Sequence, residues 1–398
     1  MISETANTGL HMDPLLPAVV GAAFGMLLVG LLLRRLKQPH VVAYLLGGVL
    51  LGSHGIDVFP DATLVARLGE FGVVLLLFFV GMEVSVPRLA EGWRVALGGT
   101  LLQIVASVGS VAALGLWLDW PMPRIVLVGF AISLSSTAVV VSTLRASNDL
   151  DSDRGRDTLG ILLAQDLAVI PMLVVVGMLA GAAPASGVVA RQLLGGTAIM
   201  LMVVMVTRRE NFKLPFAALL RTDHELQVFA AFLLCFGFAW VTGVLGLSTA
   251  LGAFVAGVVI SAGKETEWVH RSLEPLRVLF VALFFVSVGM LIDLHFLAEN
   301  WSLVLALVVA TLVLNTAINA AVLRLLGRRL STSLRIGAML AQIGEFSFVL
   351  AAVGLQTGIV SEFGHQTILG VIAISLALSP AWMGVVNLAL RTWLPDGD

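Results

Sequence analysis

Apolar positions in this chain come in long runs separated by short polar stretches. Thirteen runs can be drawn, at about 16–33, 40–52, 68–82, 94–117, 125–145, 157–180, 188–206, 224–242, 247–262, 274–292, 301–325, 333–357 and 365–390. A helix rises about 1.5 Å per residue, so roughly 17–25 apolar residues cross a hydrocarbon core. Most of the runs are that long, and a few, such as 40–52 and 68–82, fall short. The pattern predicts an all-α integral membrane protein with about 13 transmembrane helices.

Charge placement tests this map independently of hydropathy, because cytoplasmic loops collect Lys and Arg. Alternate loops and run ends hold 20 of the 23 basic residues, among them Arg34, Arg35 and Lys37, then Arg145, Arg154 and Arg156, then Arg324, Arg328, Arg329 and Arg335. The other set holds only Arg67, Arg124 and Arg191. This alternation places the N-terminus outside and the C-terminus in the cytoplasm, with the chain multi-pass in the cell's inner (plasma) membrane. A missed or extra run would have scrambled it.

Composition agrees. The 398 residues are 59% hydrophobic and 12% charged, with a mean hydropathy of +1.01, against about 25% charged in soluble domains. The first run lacks a preceding basic region, so it is expected to remain rather than be cleaved as a signal peptide. The single cysteine, Cys235, excludes an internal disulfide and argues against a thiolate metal site. Trp93, Trp117, Trp120, Trp268 and Trp301 fall near run ends, where interfacial aromatic belts lie. The loops are too short for a further domain, and seven residues remain after Arg391. A single membrane transport domain over 1–398 is expected, with no cytosolic nucleotide-binding domain. Phosphate-loop, dinucleotide and HExxH patterns are absent, the seven histidines are scattered, and no nucleic-acid or resident cofactor site is indicated. The chain does not read as an enzyme.

Only Asp166 and Glu345, of 25 acidic residues, fall near the middle of a run, and no Lys or Arg does. An ionised Asp at the bilayer centre costs at least about 2.5–3.5 kcal/mol, and such residues usually line an ion or proton path. A desolvated carboxyl is stabilised either by a proton or by a cation. One group serving either guest, but not both, is the chemical core of an antiporter; the alternative is a neutral Asp acting as hydrogen-bonded glue. Gln165 lies about 100° from Asp166 around a helix, and either offers a neutral carbonyl oxygen or braces a neighbouring helix. In the preceding run, "ISLSSTAVV" brings Ser133, Ser135, Ser136 and Thr137 together, where hydroxyls compete with the backbone and weaken a helix.

The twelfth run is interrupted in the same way by "AQIGEFSFV", with Gln342, Gly344, Glu345 and Ser347. Interrupted segments in corresponding positions of two halves point to a transporter's binding site. With run 188–206 as connector within 181–223, residues 1–180 and 224–398 form two six-helix repeats, inverted by the odd offset. The fifth run then matches the twelfth. Crossing half-helices would bring their backbone dipoles near Asp166.

These motifs resemble a known family. "GEFGVVLLLFFVGMEVSVPRL", "ISLSSTAVVVSTL", "LLAQDLAVIPML", "GLSTALGAFVAGVVIS", "LFFVSVGMLIDL" and "AQIGEFSFVLA" are similar to the membrane domain of the monovalent cation:proton antiporter superfamily, in its potassium-efflux (Kef-type) branch. The likeness runs over about residues 20–390. It implies a thirteen-helix inverted-repeat fold, a homodimer in the lipid bilayer, and a core moving against a dimerisation domain. It also implies a cation site at Asp166, Gln165, Ser135, Ser136 and Thr137, supported by Gln342, Gly344 and Glu345. The transported ion is K⁺ or Na⁺ in exchange for H⁺, and Gln followed by Asp at 165–166 favours potassium within this superfamily.

Two departures matter. Where many relatives carry a lysine, "TLVLNTAINAA" places Asn315. The resemblance also implies a following nucleotide-binding domain that gates the relatives; without one in this sequence, the expectation is either an ungated member or one whose cytosolic regulatory domain is separate or truncated. The loop "ETEWVHRSLEP" carries His270 and Arg271 where an acidic run is the family's pattern. Alternative functions are sodium:proton exchange and a proton-uncoupled cation channel. An intramembrane aspartyl protease needs two cooperating aspartates, and the runs contain one.

Overall fold

The computed structural model describes residues 15–35, 40–52, 62–83, 94–149, 152–180, 223–245, 247, 249–261 and 266–393, with isolated positions between 194 and 205. Their order is α1 (Leu15–Arg35), α2 (His40–Leu51), α3 (Ala62–Glu83), α4 (Arg94–Trp117), α5 (Met122–Ser133), α6 (Thr137–Ala146) and α7 (Asp153–Leu179) in the first half. The second half holds α8 (His224–Val244), α9 (Thr249–Ser261), α10 (Thr266–Met290), α11 (Leu294–Glu299), α12 (Trp301–Leu325), α13 (Leu330–Met339), α14 (Phe346–Gln356) and α15 (Glu362–Trp393). No strand occurs among the described residues. Among the described residues six helices are long and apolar enough to cross a membrane, and several shorter apolar ones accompany them. The expected connector helix at 188–206 lies outside the described residues apart from isolated positions.

Local chemistry sets the helix ends. Ser152 Oγ accepts from Gly155 N–H at 3.0 Å and starts α7, while Asp223 accepts from Glu225 and Leu226 N–H to start α8. Each cap satisfies donors that a helix start leaves without intrahelical partners. Between α12 and α13 the chain reverses at Gly327, whose φ of +87° suits a residue without Cβ. There Arg328 reaches Asp157 at the start of α7, Nε to Oδ2 at 2.6 Å and Nη2 to Oδ1 at 2.8 Å.

Helix contacts sort the chain into two packed groups, each drawing on both halves. The panel joins α1, α2 and α3 to α8, α9 and α10, and the core joins α4–α7 to α12–α15. Inside the panel, Leu75, Phe78 and Phe79 of α3 are buried with Ala231 and Cys235 of α8 and with Ala253 and Ile260 of α9. Glycines let these backbones touch. A Cβ at Gly48 would run into the Val286 carbonyl, and one at Gly257 into the Phe78 carbonyl, the close approach that small residues permit between membrane helices. Panel and core meet through two apolar clusters: one joins α2 and α10 to α5, α12 and α15, and the other joins α3 and α9 to α5, α7 and α14. The outer faces are apolar. Phe24 and Leu32 on α1 and Phe229, Leu233 and Trp240 on α8 are all more than half exposed, as lipid-facing side chains are.

Candidate ion site at a helix crossing

Two helices of the core are broken in mid-run, and the breaks cross each other. Leu134 is extended, with φ −91° and ψ 123°, so α5 stops at Ser133 and α6 begins at Thr137. In the second half α13 stops at Met339 and α14 begins at Phe346. Gly344 N–H donates to the Leu134 carbonyl at 2.7 Å. A Cβ at Gly344 would lie 2.5 Å from Ser135 O and 2.9 Å from Ser136 N, so only glycine fits the crossing. Ser135 Oγ donates to Leu340 O at 2.7 Å, and Ser347 Oγ donates to Ala131 O at 2.7 Å. The serines of both interrupted motifs therefore meet carbonyls of the other broken segment, which the breaks leave without helical donors.

Asn315 of α12 stands behind both breaks. Its Nδ2 donates to Ile132 O at 2.7 Å and to Ala341 O at 3.0 Å. One neutral amide thus serves carbonyls at the C-terminal, negative ends of two half-helices. Asn319 in turn donates to Asn315 O at 2.8 Å.

Gln165 and Asp166 point different ways from α7. The fully buried Gln165 accepts from Ser135 N–H at 3.0 Å and donates to Gln103 Oε1 at 2.9 Å. Gln103 in turn donates to Ser133 O at 2.7 Å. Of the two roles open to Gln165 in the sequence, its carbonyl is engaged in the bracing one. Asp166 is 3% exposed, and its Oδ2 accepts from Thr137 Oγ1 at 3.0 Å. Thr137 is the first residue of α6, so the carboxylate sits at a helix N-terminus, whose partial positive charge favours an anion.

The remaining candidates surround the crossing. Ser136 Oγ accepts from Val139 N–H at 3.4 Å and lies against the Glu345 carboxyl. Glu345 is buried, and its Oε2 is without a hydrogen-bond partner. Gln342 Oε1 accepts from Ser379 Oγ at 3.3 Å on α15, and Ile343 N–H donates to Ser375 Oγ at 3.3 Å. Ser133 Oγ turns back to Phe130 O within its own helix. The structure thus joins Asp166 to Thr137 and Gln165 to Ser135, and puts Gln342, Gly344, Glu345 and Asn315 in or against the second break. The sequence reading passed over Gln103, Asn319, Ser375 and Ser379. On α4 the buried positions are Thr100, Gln103, Ser107, Val111 and Gly115, one helical stripe. That stripe was the available signal.

Comparison with known proteins adds a lineage to this geometry. Residues 22–386 match the family described as sodium/hydrogen exchanger, transmembrane. Among curated proteins, the chain is 38% identical over 374 residues to "Iron transporter MagA" of Paramagnetospirillum magneticum, covering 94% of this chain and 86% of that one. It is 33% identical over 398 residues to "K(+) efflux antiporter 5" of Arabidopsis thaliana, covering 97% and 69%. Among solved structures, the sodium proton antiporter MjNhaP1 of Methanocaldococcus jannaschii superposes with a TM-score of 0.66 at 16% identity, covering 95% of this chain and 99% of that one. That likeness shows the fold. The chain belongs to the sodium/hydrogen exchanger family, with the membrane domains of Kef-type antiporters, and is a multi-pass cation/proton antiporter rather than an enzyme.

Proposed function

We propose that the protein exchanges a proton for a monovalent cation, potassium, by competition at Asp166. The observation that carries this reading is the buried Asp166 carboxylate held by Thr137 at the N-terminus of α6. A helix dipole and a hydroxyl stabilise the anion, yet neither neutralises it. A bare cation entering beside it finds a full negative charge and oxygen ligands, which suit a hard ion. A proton arriving instead cancels that charge and removes the reason for the cation to stay. Exchange needs one further element, alternating access of the site, for which the core group moves against the panel group. With one competing carboxyl, the exchange is one for one and electroneutral.

Potassium is favoured by the Gln165–Asp166 pair and by the relative named for potassium efflux. In this reading the protein acts as a homodimer in the plasma membrane, with its N-terminus outside.

A second reading, iron transport, is suggested by the name of the 38% identical relative. Among the described residues no group of three His, Cys, Asp or Glu comes together to hold a metal ion. The groups seen together at Asp166, its own carboxylate and the Thr137 hydroxyl, are hard oxygens, which favour alkali cations over a transition metal.

The test is flux in proteoliposomes with a lumenal pH dye. An imposed proton gradient should collapse on adding K⁺, less so with Na⁺ and not with Fe²⁺, and Asp166→Asn should abolish the response. Cation flux without proton movement, or parental exchange by Asp166→Asn, would refute the reading.

A further inference from the structure

Glu345 is the second carboxyl at the crossing, and competition at Asp166 leaves it without a role. It is 6% exposed and stands at the N-terminus of α14, where its side chain makes no capping hydrogen bond. Its Oε2 is buried without a hydrogen-bond partner. Buried polar atoms are nearly always paired, so an orphaned carboxyl oxygen calls for an explanation.

Two neighbouring residues bring this group and Asp166 to one place. Thr137 Oγ1 donates to Asp166 Oδ2 at 3.0 Å, and the preceding residue, Ser136, lies against the Glu345 carboxyl. The start of α6 therefore touches two acids, one from α7 and one from the start of α14.

No fixed cation answers Glu345. Among the described residues, the buried titratable side chains are Asp166, Glu345, His365 and Cys235. His365 lies in the first turns of α15 beside Glu362, and Cys235 belongs to the panel. Of the other elements around Glu345, α7 also carries Asp157 near its start, paired with Arg328. On α5, Arg124 donates through Nε to Ile359 O, and on α13, Arg335 lies four residues before the helix ends. From α12 and α15 come the neutral Asn315, Ser375 and Ser379.

Two ionised carboxyls at one helix start repel each other, and a helix end supplies only a partial charge against either. One of the pair must stay neutral. Asp166 Oδ2 is met by the Thr137 hydroxyl, whereas Glu345 Oε2 is met by nothing. An unpaired neutral group in a dry core costs far less than an unpaired charge, so the retained proton belongs on Glu345.

We propose that Glu345 keeps its proton throughout the exchange cycle, which limits the crossing to a single negative charge and makes the site selective for monovalent cations. The inference rests on Asp166 being the ion site. With Glu345 ionised, the crossing would carry two carboxylates, the kind of ligand set that holds a divalent ion such as Ca²⁺. With Glu345 neutral, one proton or one K⁺ completes the balance at Asp166.

The first experiment is infrared absorption of the protein in lipid, at alkaline pH with saturating K⁺, where Asp166 is ionised. The parent should show the carbonyl stretch of a protonated carboxyl, which Glu345→Gln removes and Asp166→Asn leaves in place. The second uses the parent alone in proteoliposomes. Ca²⁺ should not compete with K⁺, and the KM for K⁺ should fall by no more than about tenfold per pH unit, the response to one departing proton.

The absence of a band that Glu345→Gln removes would overturn the proposal. Competitive inhibition by Ca²⁺ would do the same, as would a KM that falls by about a hundredfold per pH unit, since two protons would then leave together. If the Gln variant does not assemble, the two measurements on the parent decide. Asp166→Asn separates the two levels. Exchange surviving that change refutes the ion site itself, whereas its loss alongside a missing Glu345 band refutes only the retained proton.

Discussion

Replacing Asn315 with leucine removes two hydrogen bonds without changing side-chain size much. The Nδ2 group donates to Ile132 O at 2.7 Å and to Ala341 O at 3.0 Å, and all of this lies in the buried core, with Asn315 1% exposed. Each carbonyl left unmet costs roughly 1–3 kcal/mol, so the pair predicts a loss of roughly 2–6 kcal/mol. Losing the other amide atom adds nothing, because Asn315 Oδ1 has no hydrogen-bond partner to lose. The damage falls on the ends of both half-helices at once, so exchange should fail together with stability. The assay is a thermal melt of detergent-purified protein followed by dye-based exchange in proteoliposomes. A melting temperature lowered by several degrees with exchange severely reduced is expected. A leucine variant as stable and active as the parent would show that the amide does not hold the crossing.

Gly344→Ala should block the crossing, since its Cβ would sit 2.5 Å from Ser135 O; relief of such overpacking costs about 1–3 kcal/mol or more, visible as lost exchange with lowered melting. Thr137→Val should raise the KM for K⁺ by about tenfold with little change in melting, and Thr137→Ser should restore it, because the hydroxyl on Asp166 is the group at issue. Asp157→Asn breaks a bidentate pair whose Arg328 side chain is 42% exposed, so a loss of about 1 kcal/mol is expected, shrinking further at high salt, with exchange retained.

Much of the architecture was legible in hydropathy because lipid demands long apolar runs. Twelve of the thirteen expected runs fall on described helices, and the two containing "ISLSSTAVV" and "AQIGEFSFV" are the two that break. Helix ends were harder. The expected run at 274–292 belongs to α10, which starts at Thr266. Its early turns carry His270, Glu274 and Arg277, and Arg277 pairs with Glu274 at 2.6 Å, so this polar turn continues the helix beyond the apolar window. The short α11 escaped notice because six residues capped by Asp293 leave no hydropathy signal. At the crossing, charge drew attention to Asp166 and Glu345, while the neutral amide of Gln103 passed as one polar residue in an apolar run. Its partner is 62 positions away, and a partner that distant emerges only when the fold brings α4 and α7 together.

Competition at one carboxyl makes a quantitative demand that no two-site scheme shares. The decisive measurement is the apparent KM for K⁺ across a series of pH values, with equal pH on both sides and exchange followed by tracer flux. If proton and cation exclude each other at Asp166, KM falls by about tenfold per pH unit wherever protons hold the site, at constant Vmax. A KM for K⁺ that stays flat across that range, with Vmax carrying all the pH dependence, would contradict the account.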